Sequence, residues 1–262
     1  MSRHEQMGAV HFVGVGGVGM SGLANILLDQ GVTVSGSDLE TTPATRRLRA
    51  RGAAVAHGHA SENVPEGISL LVRSSAVPDT NPEVAEAFRR GVRVVSRGHF
   101  LAEVATCFPC VVAVAGSHGK TTTTAMLAHI LKTCGLRPGF LVGGDVHGWP
   151  VAASAGGGRI LVTEVDESDG TQDAMRSSVA LVTNVEDDHC WSVGGEEALL
   201  ACFAKFARQG QEVLSWDTPK TRELFESLPA RRFFDDEAVP PGLQLPVPGQ
   251  YNRRNARSEE RR

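Results

Sequence analysis

Val111-Val-Ala-Val-Ala-Gly-Ser-His-Gly-Lys-Thr-Thr122 is the stretch on which the reading of the fold turns. Its five leading residues are an apolar run of strand length, and two glycines, a lysine and two threonines follow. Apolar periodicity then continues to Cys134 and predicts a helix over 121–134. A strand that passes through a glycine-bearing loop into a helix is the setting in which backbone amides and a lysine cradle phosphate. Val114 stands where a full Walker pattern has its first glycine, so the motif is partial. Nothing in packing asks for a lysine at that turn. Gly116, Ser117, His118, Gly119, Lys120, Thr121 and Thr122 are therefore candidates to bind a nucleotide, with Lys120 on the phosphates and the Thr121 hydroxyl on a divalent metal.

Upstream, a second glycine loop repeats the arrangement. Val10–Val15 reads as a strand and runs into Gly14-Val-Gly16-Gly17-Val-Gly19. Met20, Leu23, Ala24, Leu27 and Leu28 recur at helical spacing until Gly31. A glycine there lets the backbone approach a diphosphate, and the helix N-terminus points its free N–H groups at it. Val32–Ser35 reads as the next strand, and Asp38 at its end holds the position that commonly receives a ribose hydroxyl. On these residues alone NAD and a nucleotide-sugar are both admissible. Thr42-Pro43 offers a cap and a first-turn proline for a helix that Gly52 stops. Leu70–Arg73 and Val92–Val95 are further strands, with a helix from Pro82 to Arg90 between them.

Downstream of the phosphate loop, Ile160–Glu164 and Val179–Asn184 read as strands, and Glu196–Arg208 and Thr218–Leu228 as helices. Carboxylates cluster at the ends of both strands, at Glu164, Asp166, Glu167 and Asp169 and again at Glu186, Asp187 and Asp188, which the imidazole of His189 follows. Open α/β sheets bind ligands at that end, and a nucleotide phosphate needs such oxygen and imidazole groups for its metal. Strands alternating with single helices give an α/β fold of two tandem units joined near Ala105–Pro109.

The composition is that of an ordinary soluble chain, 41% hydrophobic and 21% charged over 262 residues, and its length favours two domains. A net charge of −4 gives no sign of a nucleic-acid backbone as partner. Apolar runs are too short for a bilayer, and Met1–Met7 carries no signal-peptide pattern, so no membrane partner and a cytoplasmic location are expected. Cys107 and Cys110 have the spacing of a redox or zinc half-site without a second pair, and read as small buried residues near the junction.

Taken together, His11-Phe-Val-Gly-Val-Gly-Gly-Val-Gly-Met-Ser-Gly22, Ser35-Gly-Ser-Asp38, Arg73-Ser-Ser-Ala-Val-Pro78, Asn81-Pro82, Gly116–Thr124 and Glu164–Gly170 resemble the Mur ligases, in particular the L-alanine-adding branch. The resemblance spans residues 9 to 256. It implies a Rossmann-like UDP-sugar-binding domain over 1–106, which removes the NAD reading, and a P-loop-type ATP-binding central domain over 107–256 that is incomplete. A polar tail, 257–262, stands where a C-terminal domain would follow, and a separate C-terminal polypeptide is the partner this leaves room for. The implied reaction joins L-alanine to UDP-N-acetylmuramate, with ATP and Mg2+, through an acyl phosphate. Carried over by residue, Lys120, Glu164 and His189 are catalytic, and Thr121, Glu164 and His189 hold metal. Asn252 lies near the adenine, and Gly14, Gly16, Gly17, Gly19, Asp38, Ser74 and Ser75 hold the UDP moiety. The sequence departs from the family pattern at Gln172 and Asp173, where an apolar pair is usual, at Cys190 and Trp191, and at Tyr251. The stretch from Phe233 to Pro246 is also short for the family.

Overall fold

The structure is a computed structural model that describes residues 8–166, 169–186 and 194–235. Its first sheet holds β1 (Val10–Val13), β2 (Val34–Asp38), β3 (Ala54–His57), β4 (Leu70–Arg73) and β5 (Arg93–Ser96) in the order β3-β2-β1-β4-β5, all parallel. The chain order reverses between β1 and β4, so the glycine loop after β1 sits at the switch point where such sheets bind ligands. Helices α1 (Val18–Asp29), α2 (Pro43–Ala50), α3 (Pro82–Arg89) and α4 (Arg97–Ala105) connect the strands.

The alternation of side chains along each strand divides the core. Phe12, Val34, Leu70 and Val72 face α1 and α4, where Phe12 meets Phe100 edge to face with ring centres 5.9 Å apart. Val13 and Leu71 face the other way and pack with Val84 and Ala87 of α3.

The second sheet has the order β12-β11-β10-β6-β9-β7-β8. Its members are β6 (Cys110–Ala115), β7 (Gly139–Leu141), β8 (Ala153–Ser154), β9 (Ile160–Glu164), β10 (Ser177–Val182), β11 (Gly210–Trp216) and β12 (Arg231–Phe234), and only the β7–β8 pair is antiparallel. Helix α5 (Lys120–Thr133) covers one face through Leu127, Ala128 and Leu131 against Val112, Val162 and Val179. Helix α7 (Glu196–Gln209) covers the other with Phe203 and Phe206, against Ala113, Leu161 and Ala180. Two short helices, α6 (Thr171–Ala174) and α8 (Pro219–Phe225), complete the described chain. Val114 is fully buried and paired within β6, which explains why the partial phosphate motif tolerates valine there.

The two sheets share one apolar core, because α1 packs on the β7–β8 edge of the second sheet. A methyl on Gly22 would stand 3.1 Å from Ala153 Cβ, so the missing side chain lets helix and strand meet closely. Asp29, at the end of α1, accepts hydrogen bonds from Ser154 Oγ (2.7 Å) and Ala155 N (2.8 Å) and pairs with Arg51.

Element types follow the sequence reading, with shifted ends. Strand β2 runs Val34–Asp38 in place of Val32–Ser35, because Gly31 and the backbone bond from Val32 N to Leu27 O still belong to the helix terminus. Strands β3, β7, β8 and β12 have no expectation in the sequence. Helix α4 and strand β11 are also additions to that reading. Cys107 and Cys110 are only half-buried. The short stretch after Phe233 falls mostly outside the described residues.

Candidate functional site

The phosphate loop leaves β6 at the centre of the second sheet and enters α5 at Gly119, whose φ of +85° suits glycine. Its shape is fixed from the neighbouring strand end. Asn184 accepts from His118 N through Oδ1 (2.8 Å) and donates from Nδ2 to His118 O (3.0 Å). Ser117 is bound likewise, donating to Glu186 O (3.0 Å) and accepting from Glu186 N (2.9 Å). Thr183 Oγ1 donates to His118 O at 2.5 Å. A side chain on Gly116 would collide with that threonine and with Asn184, and its φ is +140°. Ser117 and the backbone of His118 therefore hold the loop's form, and the N-terminal amides of α5, Lys120 and Thr121 are the groups that could cradle a phosphate. Thr122 lies half-buried in the first turn of α5. Lys120 Nζ donates to Gly116 O (2.7 Å), folded over the loop it would share with a phosphate.

Glu164, at the end of β9, reaches the same loop: Thr121 Oγ1 donates to its Oε2 at 2.8 Å. Burial pushes this carboxyl above its ordinary value of 4.5. The Thr121 hydrogen bond and the Lys120 charge pull it back, Asp166 adds to the rise and Arg97 opposes it. A carboxylate that burial has left short of positive charge, beside a hydroxyl at a phosphate cradle, suits a hard divalent cation. Gly143, just past β7, forms the wall behind it, and a methyl there would stand 2.5 Å from Glu164 Cδ. Among the described residues no group of three His, Cys, Asp or Glu side chains gathers around a metal position. His189 and Asn252 lie outside the described residues, as do Glu167, Asp187, Asp188, Cys190 and Trp191.

At the other loop, Gly14, Gly16, Gly17 and Gly19 carry the chain from β1 into α1, and Ser74 N donates to Val13 O at the adjoining end of β4 (3.1 Å). Ser74 and the exposed Ser75 thus stand beside the glycine loop. Asp38 has a role the sequence did not suggest: its Oδ2 accepts from Gly16 N (2.7 Å) and its Oδ1 from Glu40 N (3.0 Å), so it shapes the loop from beneath. A methyl on Gly16 would be 2.8 Å from Asp38 Oδ2. Beside this loop opens a cleft of about 170 Å³, lined by Ser21 and Asn25 of α1, Thr42 and Arg47 at α2, and Asp145 and Ala152 from the segment between β7 and β8.

Under β1 and β2 a buried network supports the loop. Glu83 accepts from His11 Nε2 (2.9 Å), Ser37 Oγ (2.6 Å), Ala60 N (3.1 Å) and Asn63 Nδ2 (2.8 Å), and is fully buried. Burial raises its carboxyl, but the bonds from His11, Ser37 and Asn63 with the His11 charge outweigh that and hold it below 4.5.

Sequence reasoning singled out neither Gly143 nor Arg97. A paired glycine after an unrecognised three-residue strand left no signal for the first. Arg97 opens α4, and its guanidinium pairs with Asp169 and lies 3.9 Å from Asp166.

The profile described as Mur ligase family, catalytic domain matches residues 9–108, and that of the Mur ligase middle domain matches 114–233. UDP-N-acetylmuramate–L-alanine ligase of Carboxydothermus hydrogenoformans is 42% identical over 232 residues, 87% of this chain and 50% of the relative. The ligase of the same name from Renibacterium salmoninarum is 47% identical over 200 residues, 76% of this chain and 43% of the relative. Among solved structures, the Thermotoga maritima UDP-N-acetylmuramate-alanine ligase superposes with a TM-score of 0.75 at 31% identity, covering 82% of this chain and 51% of that one. A Neisseria meningitides UDP-N-acetylmuramate:L-alanyl-gamma-D-glutamyl-meso-diaminopimelate ligase shares the fold, with a TM-score of 0.85 at 24% identity over 97% of this chain and 92% of that one. The chain spans about half the length of the curated relatives it matches. Among the described residues no helix is long and apolar enough to cross a membrane.

Proposed function

Because this chain belongs to the Mur ligase family, we propose that it carries the UDP-sugar-binding and ATP-binding parts of a cytoplasmic ligase that joins L-alanine to UDP-N-acetylmuramate. In this reading residues 1–106 take the UDP-sugar and 107–256 take ATP. The substrate carboxylate attacks the γ-phosphorus and ADP leaves, giving an acyl phosphate. The alanine amine then attacks the acyl carbon, phosphate departs with the bonding pair, the nitrogen loses a proton and an amide remains.

The observation that carries the reading is the convergence of Lys120, Thr121 and Glu164 on one phosphate loop, with Thr121 and Glu164 2.8 Å apart. Lys120 and the α5 amides would spread the charge of the β- and γ-phosphates, the main work in phosphoryl transfer. Thr121 and Glu164 would hold Mg2+, and the remaining positions would fall to phosphate oxygens, water and His189, in keeping with the few protein ligands magnesium takes. When bound, the ion would supply neutralising charge between the phosphates. Glycines 14, 16, 17 and 19, with Asp38, Ser74 and Ser75, would seat the UDP moiety next to the cleft, and Asn252 would lie near the adenine.

The test is phosphate release from ATP by the purified chain with UDP-N-acetylmuramate and Mg2+, with and without L-alanine. Release that depends on alanine, alone or after addition of a polypeptide matching the remaining half of the relatives, supports the reading. Binding of the UDP-sugar with no release under either condition would make the chain a binding protein and overturn it.

A further inference from the structure

Arg97 lies between the glycine loop after β1 and the acidic segment after β9. It is the first residue of α4, capped by Ser96, and its side chain is 18% exposed. The guanidinium lies against Gly19, the last glycine of the first loop, where a methyl would stand 2.7 Å from Nη1 and 2.9 Å from Cδ. On its other side it pairs with Asp169, whose side chain is 2% exposed, and approaches Asp166 at 3.9 Å. Asp169 in turn accepts from Thr171 N (3.0 Å) and from the Thr171 hydroxyl, at the start of α6. The next residue, Gly98, sits so close that a methyl would meet Asp169 O and Thr171 N, each at 2.8 Å. Asp166 is two residues from Glu164, and Arg97 is one of the charges that act on Glu164.

We propose that Arg97 is a positioning residue that couples the two sites, so that binding of the UDP-sugar strengthens binding of the magnesium nucleotide. The sign follows from charge. A diphosphate at the N-terminus of α1 lies beside the guanidinium and competes with Asp166 and Asp169 for it. Arg97 free of an added anion opposes a cation at Glu164, and Arg97 engaged by a diphosphate opposes it less. Linkage makes the effect reciprocal: the nucleotide tightens UDP-sugar binding by the same factor. This inference rests on the proposed assignment of the UDP-sugar to the glycine loop and of ATP to the phosphate loop.

The experiment is titration calorimetry of the full chain with the non-hydrolysable nucleotide AMPPNP and Mg2+, in the absence and at saturation of UDP-N-acetylmuramate, and the converse titration. Arg97→Ala alone would strand the buried Asp169 carboxylate, so the variant is Arg97→Ala with Asp169→Asn, and Arg97→Lys is run beside it. For the wild type, each ligand binds alone and the coupling is about fivefold or more in both directions, the lower end of typical allosteric factors. The double variant binds each ligand alone but its coupling falls below about twofold, and Arg97→Lys, which keeps the charge without the fork, lies between. An undiminished factor in either variant, or none in the wild type, overturns the proposal. Failure of either ligand to bind the wild type alone would instead overturn the assignment on which it rests.

Discussion

Gly143→Ala should weaken binding of a magnesium nucleotide while leaving the rest of the protein intact. The added methyl would overlap Glu164 Oε1 outright and lie 2.5 Å from Cδ, where ordinary contact begins at 3.4 Å, so the carboxylate has to withdraw by about 2 Å. That displacement breaks the 2.8 Å bond from Thr121 and moves the carboxylate off the position we assign to the metal. A hydrogen bond to a charged group is worth roughly 1.5–3 kcal/mol, which sets the expected loss at about ten- to a hundredfold in affinity. Gly143 is exposed and its φ is not in the left-handed region, so global stability should change by less than about 1 kcal/mol. Calorimetric titration with AMPPNP gives the readout, in Mg2+ and in EDTA, with UDP-N-acetylmuramate as the control ligand. The loss should be confined to the magnesium titration. An affinity within twofold of wild type in Mg2+ would refute the placement of Glu164 at the metal, and an equal loss in EDTA would refute its cause.

Other outcomes follow from particular side chains. Gln172 is 1% exposed and neither end of its amide finds a hydrogen-bond partner among the described residues, so Gln172→Leu should stabilise by about 1–3 kcal/mol, read as a higher urea midpoint at constant m; a lower midpoint would show that the amide is satisfied. Glu83→Ala should cost about 3–5 kcal/mol, because it strands His11, Ser37, Ala60 N and Asn63 around a buried void, and a loss below 1 kcal/mol in denaturant titration would count against the network. The Glu83 carboxyl is held below 4.5 in the fold, so its stabilisation is present above that pH and is lost as pH falls through the lower folded value; Glu83→Gln should flatten stability over that window. Glu164 is shifted the other way, so a proton competes with Mg2+ from a higher pH, and nucleotide affinity in Mg2+ should start to fall above pH 4.5 as the solution is acidified.

The two glycine loops were legible because each combines a strand-length apolar run, small residues and a long periodic helix, and α1 and α5 begin within a residue or two of where the pattern places them. Thr42-Pro43 marked α2 for a local reason, since cap and proline act within one turn, and the structure finds the same cap and proline in Asn81 and Pro82 at the start of α3. Without the family resemblance, which put both on one metal, the linkage between Thr121 and Glu164 was foreseeable only as two strand ends on one side of a sheet; the hydrogen bond needs β6 and β9 to be neighbours, and sequence order does not state that pairing. Asp38 was legible as a position and not as a role, because its turn under Gly16 depends on β1 lying beside β2 in a particular register. Arg97 was hidden for the same reason: Gly19, Asp166 and Asp169 are remote from it in sequence and meet it only because α4 packs on both α1 and α6. Gln172 broke the expected apolar pattern, and the structure finds it buried without a partner for its amide, so the departure carries a physical cost.

The proposed assignment of one ligand to each of the two loops is tested most directly by a crossed binding experiment. AMPPNP with Mg2+ and UDP-N-acetylmuramate are each titrated into Lys120→Ala and Gly16→Val. Lys120→Ala removes the ammonium over the Gly116 carbonyl and should abolish nucleotide binding, with the UDP-sugar still bound, though without its coupling to the nucleotide. Gly16→Val drives a side chain into Asp38 Oδ2 and should do the reverse. Loss of both ligands in either variant, with the fold intact by circular dichroism, would contradict the assignment of one ligand to each loop.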